Sequence, residues 1–238
     1  MSVDLLAIAA HRDDVELTCA GTLIKAAKQG RRTAVIDLTE GEMGTKGDAK
    51  SRAAEAEKAA GIMKLSAREN LGLPDAAIVN DPETRILVAR AIRKFKPRVV
   101  IAPARQGRHP DHRATAELVR DACFVAGLAK VAPDVPKHRP KKVLHCISYR
   151  QDFEKPTFVV DISEEFEQKL EAIRCFDSQF GGATQAGEVM PTGESLYDAI
   201  RHFSAYYGSM IRTRYGEPFF TTETMRVDDV VALEVSTF

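Results

Sequence analysis

The first half of the chain alternates two kinds of block. Short apolar runs at residues 3–9, 33–38 and 98–103 are rich in Val, Ile and Ala. Runs of this length and composition predict strands buried on both faces. Between and after them come longer segments with apolar residues at helical spacing, at 16–28, 49–63, 82–95 and 111–127. The punctuation agrees. Gly30 follows the first as a C-terminal cap, Pro82 stands in the first turn of the third, and Pro97 stops it. A short strand at 71–75 runs into a turn. Such alternation predicts an α/β chain, a Rossmann-like three-layer fold with a mainly parallel sheet flanked by helices.

Past Gly127 the pattern loosens. Residues 131–142 hold three prolines and read as a surface connection. Residues 143–149 and 157–161 read as strands, and 163–180 as a helix with a capped start. The Gly/Thr/Pro-rich stretch 181–193 reads as a loop bordering the functional face. Residues 195–212 read as a helix, and 227–233 as an edge strand or docking arm. No repeat or second core interrupts the pattern, so residues 1–238 are expected to form one domain.

Composition narrows the function classes. Lys+Arg and Asp+Glu both number 34, so formal net charge is zero. A neutral chain exerts no general pull on nucleic acid or an anionic membrane, and it permits self-association. Cys19, Cys123, Cys146 and Cys175 form no Cys-x-x-Cys pair. That excludes a disulfide framework and a zinc–cysteine site, leaves a thiol-transfer protein without its motif, and fits a reducing cytoplasm. The first apolar run has no basic lead, unlike a signal peptide. No run approaches the roughly 18 residues of a membrane span.

Two clusters carry the candidate chemistry. His11-Arg12-Asp13-Asp14-Val15-Glu16 follows the first strand, and Arg108-His109-Pro110-Asp111-His112 follows the strand at 98–103. Each opens a helix, and open α/β sheets bind ligands at such strand ends. Either could be a solvated helix-capping turn when taken alone. Together they can converge on one ion. Catalytic zinc takes three protein ligands and keeps one position for water. His11, Asp14 and His112 would supply the set, with Asp13 free as a base and His109 free as an acid.

At these residues the chain resembles the LmbE/PIG-L group of zinc-dependent N-acetylglucosaminyl deacetylases, and within it the bacillithiol-biosynthesis branch. The group's His-Pro-Asp-Asp-x-Glu motif stands here as His11 to Glu16, with Arg12 replacing Pro. Its His-Pro-Asp-His motif is complete at His109 to His112. Gly41-Glu42, Arg52-Ala-Ala-Glu55, Leu73-Pro74-Asp75 and Tyr215-Gly-Glu-Pro-Phe219 resemble further segments of the group.

The resemblance implies one Zn2+ per chain, or another divalent metal, on His11, Asp14 and His112. It implies Asp13 as the base acting on a water acidified to a pKa of about 7. His109, protonated, would assist the oxyanion or the leaving nitrogen. The implied substrate is a small GlcNAc-containing molecule, N-acetylglucosaminyl-malate first and diacetylchitobiose or another conjugate as the alternative. A homo-oligomer is implied too, hexamers included.

Asp111 would orient a neighbouring imidazole or cap its helix. Candidate substrate contacts are Arg52, whose rigid fork suits hydroxyls or a carboxylate, Arg108 and Arg139 for an acidic aglycone, Glu42 for sugar hydroxyls, Asp75 after Leu-Pro, and Tyr197 as a phenol reaching the oxyanion. His138, His145 and His202 read as structural. A non-enzymatic alternative is a receiver-like binding module, which also has an acidic pair after its first strand. That reading leaves His109 and His112 without a task.

Overall fold

The computed structural model describes residues 2–149, 155–181 and 195–235. One seven-stranded sheet runs through them in the order β3-β2-β1-β4-β5-β7-β6. The strands are β1 (Leu5–Ala9), β2 (Thr33–Thr39), β3 (Ala67–Leu73), β4 (Val99–Pro103), β5 (Lys142–Cys146), β6 (Phe158–Asp161) and β7 (Gly216–Phe220). The first five in that order are parallel. β7 is antiparallel to both β5 and β6.

Period-two alternation in β1 divides the core. Leu6 and Ile8 face one layer with Val88 and Ile92 of α4 (Pro82–Phe95) and Leu118 and Val119 of α5 (Pro110–Ala126). Ala7 and Ala9 face the other. There they meet Leu23 of α2 (Ala20–Lys28), Ala56 of α3 (Ala49–Ile62), Leu170 of α6 (Phe166–Arg174) and Ile200 of α8 (Leu196–Met210). The expected three layers are present. No helix among the described residues is long and apolar enough to cross a membrane.

Four expectations need correction. The helix expected at 16–28 is two helices, α1 (Asp14–Thr18) and α2, broken at Cys19 with φ −135°. The second helix is capped from afar: Glu217 of β7 accepts the N–H groups of Gly21 and Thr22 at 2.9 and 2.7 Å. Lys169 neutralises this buried carboxylate at 2.6 Å. The helix expected at 163–180 is likewise split into α6 and α7 (Asp177–Phe180). β3 starts at Ala67, ahead of the strand expected from residue 71. The segment 227–233 forms no strand, while β7, unforeseen, runs through Pro218. The ladder to β5 covers only Phe219 and Phe220, beyond that proline.

This order places a switch point at β1. The chain moves outward through β2 and β3, then returns to β1's other side with β4. Ligand crevices of open sheets lie at the carboxyl ends of such a strand pair. Both candidate clusters begin there.

Candidate active site

His11 ends the turn after β1, and Asp14 begins α1. The His11 backbone N–H donates to Asp14 Oδ2 at 2.9 Å, so the turn sets the ligand pair locally. His112 lies in the first turn of α5, whose start is fixed by Pro110 and capped by His109. Three side chains then meet. His112 Nε2 is 3.0 Å from Asp14 Oδ1 and 3.3 Å from His11 Nδ1, and His11 Nδ1 is 3.3 Å from Asp14 Oδ2. A tetrahedral ion with bonds of about 2.0–2.1 Å needs ligands roughly 3.3–3.5 Å apart. The triangle is close to that size before any ion contracts or spreads it, so these residues fit a divalent metal. A second set, His11, His109 and Asp111, also brings three ligand atoms within 4.8 Å of one another.

The back of His11 is held by carboxylates. Its Nε2 is 3.0 Å from Asp75 Oδ1 and 3.5 Å from Asp111 Oδ2. A hydrogen on Nε2 leaves Nδ1 as the lone-pair nitrogen that faces Asp14 and His112, the arrangement that orients metal-bound imidazoles. Burial opposes charge on His11, but Asp14, Asp111 and Asp75 overcome it and raise its pKa well above the usual range. The His11 bond leads the causes that hold Asp75 down at about 2. Asp75 is thus placed to orient His11, and it also lines the cavity into which the ligand triangle opens. Asp75→Asn should weaken metal affinity about tenfold, the low end of such changes because Asp111 still backs the ring. Metal titration checks this; an unchanged affinity would deny Asp75 that role.

The turn itself rests on a buried ion cluster that the sequence did not reveal. Arg68 of β3 contacts Glu16 at 2.6 Å and Asp37 at 2.8 Å, and donates to the Arg12 carbonyl at 2.6 Å. Glu16 is fully buried. Arg12, where relatives in the resembled group carry Pro, is buried too and donates to the Ala49 carbonyl at 2.7 Å. It ties the 40–48 loop to the metal turn. Arg68→Met would leave two buried carboxylates without their cation, a loss of about 3–5 kcal/mol. At about 2–4 °C per kcal/mol, thermal unfolding should fall by about 10 °C; an unmoved transition would refute the cluster's anchoring part.

The ligand triangle opens into a cavity of about 340 Å³. Asp13 lines it, with Oδ1 3.4 Å from Arg52 Nη2. Burial pushes the Asp13 carboxyl up, against the pull of Arg52. Arg52 is itself fixed by donating to the Gly41 carbonyl at 2.9 Å. Gly41 has φ +73°, and a Cβ there would collide with the guanidinium, so glycine is required. His109 and Arg108 also line the cavity. The His109 ring centre is 4.8 Å from His11 and 5.1 Å from His112. Burial, then the neighbouring charges of His11 and His112, hold its pKa below the usual imidazole value. Its Nδ1 accepts the Asp111 N–H at 3.2 Å. A neutral His109 therefore carries its hydrogen on Nε2.

Three expected substrate contacts do not line this cavity. Glu42 instead accepts the Asp75 N–H at 2.8 Å and braces the Leu-Pro-Asp turn. Arg139 lies over the Phe124 ring at 4.5 Å and donates to that residue's carbonyl, beside a different groove. Tyr197 packs under the Arg174 guanidinium, 5.2 Å from its ring centre. Met43, Thr45, Ser148, Tyr149, Gln179 and Phe180 line the cavity unforeseen. Ser148 and Tyr149 follow β5, so the strand-end rule could have found them. The loop expected at 181–193 lies, after Gly181, outside the described residues.

The comparisons with known proteins agree with this geometry. A family profile described as PIG-L: GlcNAc-PI de-N-acetylase matches residues 6–123, the half that holds both clusters. The diacetylchitobiose deacetylase of Thermococcus kodakarensis is 29% identical over 225 residues, spanning 90% of this chain and 80% of that protein. Among solved structures, conserved protein TT1542 of Thermus thermophilus superposes with a TM-score of 0.85 at 36% identity, covering 95% of this chain and 98% of its own. The N,N'-diacetylchitobiose deacetylase of Pyrococcus horikoshii superposes with a TM-score of 0.77 at 26% identity, over 92% of this chain and 83% of that one. The two clusters, the strand order that joins them and these likenesses place the chain in the PIG-L/LmbE family of deacetylases.

Proposed function

We propose that this chain is a zinc-type, metal-dependent hydrolase that removes acetate from a small N-acetylglucosamine-containing substrate. A diacetylchitobiose-type sugar is the first candidate, because two relatives carry that activity in their names. The observation that carries the reading is the triangle of His11 Nδ1, Asp14 and His112 Nε2 at the floor of an open cavity. An ion held there would supply Lewis acidity, acidifying a water and polarising the amide carbonyl.

The remaining work falls to the chain. Asp13 stands beside the triangle and takes the proton from the attacking water; its burial makes it a better base than an exposed aspartate. Arg52 keeps that carboxylate in place. His109 offers its Nε2 hydrogen to the developing oxyanion as a neutral donor, since its Nδ1 is already occupied by the Asp111 N–H. This differs from the protonated acid expected from the sequence. Asp13, once protonated, can return its proton to the departing amine.

Arg108 on the cavity wall favours a second reading, an anionic aglycone such as malate. Metal-loaded protein assayed side by side with diacetylchitobiose, N-acetylglucosaminyl-malate and plain N-acetylglucosamine, reading free amine, separates the two. The first reading expects the highest kcat/KM for the chitobiose. A malate conjugate favoured tenfold or more would install the second, and no amine from any of the three would end both.

A further inference from the structure

Beside the ligand triangle lies a second, much smaller recess of about 20 Å³. Asp14, His112 and Ser148 border both it and the open cavity, so the two spaces adjoin at the triangle itself. The rest of the recess is walled from the strand ends and the α1–α2 break. Ala9 of β1, Pro103 of β4, Cys146 of β5 and Cys19 at the break all line it.

This wall is apolar in practice. The Thr18 hydroxyl, also on it, donates to the Asp14 carbonyl at 2.7 Å, and Cys146 Sγ donates to the Ala102 carbonyl at 3.4 Å. Both hydrogens are thus spent on backbone. Cys19 and Cys146 are buried. The Cys146 thiol, then burial, hold the Cys19 pKa well above its ordinary value, so Cys19 stands there as a neutral, small, apolar surface. A water in the recess would find few partners. A void of about 10–15 Å³ is the least that admits one water-sized group. The recess therefore takes one methyl and has no room for a second carbon.

The carbonyl carbon of an amide carries three groups, and the site offers three directions for them. Its oxygen turns to the triangle. Its nitrogen, which bears the sugar, needs the open cavity. Its alkyl group is left to face the apolar recess. We propose that this recess receives the methyl of the acyl group, and that Cys19 and Cys146 fix its depth at one carbon. This deepens the hydrolase reading above, on which it rests, by naming the side chains that choose which acyl group is removed. Removing either sulfur opens room for one more methylene.

Glucosamine acylated on nitrogen with acetyl or propionyl tests it, with free amine as the readout. Metal content and circular dichroism are measured on each variant. The unaltered chain should favour acetyl by about 10–200-fold in kcat/KM, the worth of one methylene in an apolar pocket. Cys146→Ala and Cys19→Ala should each lower that preference at least about tenfold, by gaining propionyl turnover rather than losing acetyl turnover. Cys146→Val, which fills the recess with a residue that suits a strand, should lose acetyl turnover with its metal retained. Calorimetry of the product acids should follow suit, propionate gaining on acetate in the two alanine variants. Equal use of both sugars by the unaltered chain, or a preference unmoved in both folded alanine variants, would overturn the acyl pocket and leave the hydrolase reading standing. No amine from either sugar would end that reading and the pocket with it.

Discussion

Asp13→Asn should keep its metal and lose turnover, by about 10²–10⁴-fold in kcat, the usual worth of a positioned proton acceptor. None of the three atoms of the ligand triangle belongs to Asp13, so metal content per chain should not change. The substitution preserves size and the Arg52 contact surface, so the fold should survive. Because a base must be deprotonated to act, the acid limb of the kcat/KM profile should also vanish in the residual activity. Metal analysis with a pH profile checks both halves. Metal loss on this change would move Asp13 into the ligand set; undiminished turnover would remove it from the chemistry.

His112→Ala should act at the earlier step. It removes one corner of the triangle and leaves His11 and Asp14 unable to hold an ion on three sides. Metal affinity should fall by more than about 100-fold, beyond what changes in orienting groups produce, and activity should fall with it. Excess metal should restore part of the activity, unlike in Asp13→Asn. The variant should fold, since His112 is partly exposed in the first turn of a long helix whose Pro110 and His109 cap are untouched. Retained stoichiometric metal after dialysis would refute the assignment.

Much of this site was legible before the fold was known, and for a local reason. Each cluster directly follows an apolar strand, so its residues had to lie at a strand end whatever the details of packing. The topology then supplied what local pattern could not: β1 and β4 are neighbours across the switch point. The missed features all depend on partners far along the chain. Arg68 sits in a strand whose polar residues resemble a solvated surface, and only its contacts with Glu16 and Asp37 make it a buried anchor. The break at Cys19 has no Pro to announce it, and Gly21 lies within the second helix; a carboxylate nearly two hundred residues later caps that helix. β7 was hidden by Pro218 and by Glu217, a charged residue whose burial rests on Lys169 and on the N–H groups of Gly21 and Thr22. Asp75 was read as a substrate contact after Leu-Pro, and its contact with His11, sixty-four residues away, is one that local spacing does not show. Arg139 and Tyr197 were chosen by chemistry alone, and packing placed them elsewhere.

Anomalous scattering from crystals of the metal-loaded protein, collected on both sides of the zinc absorption edge, tests the central claim most directly. One peak within bonding distance of His11 Nδ1, a carboxylate oxygen of Asp14 and His112 Nε2 is predicted. A peak bound through His11 Nε2, His109 and Asp111 instead, or no peak between the β1 and β4 turns, would contradict it.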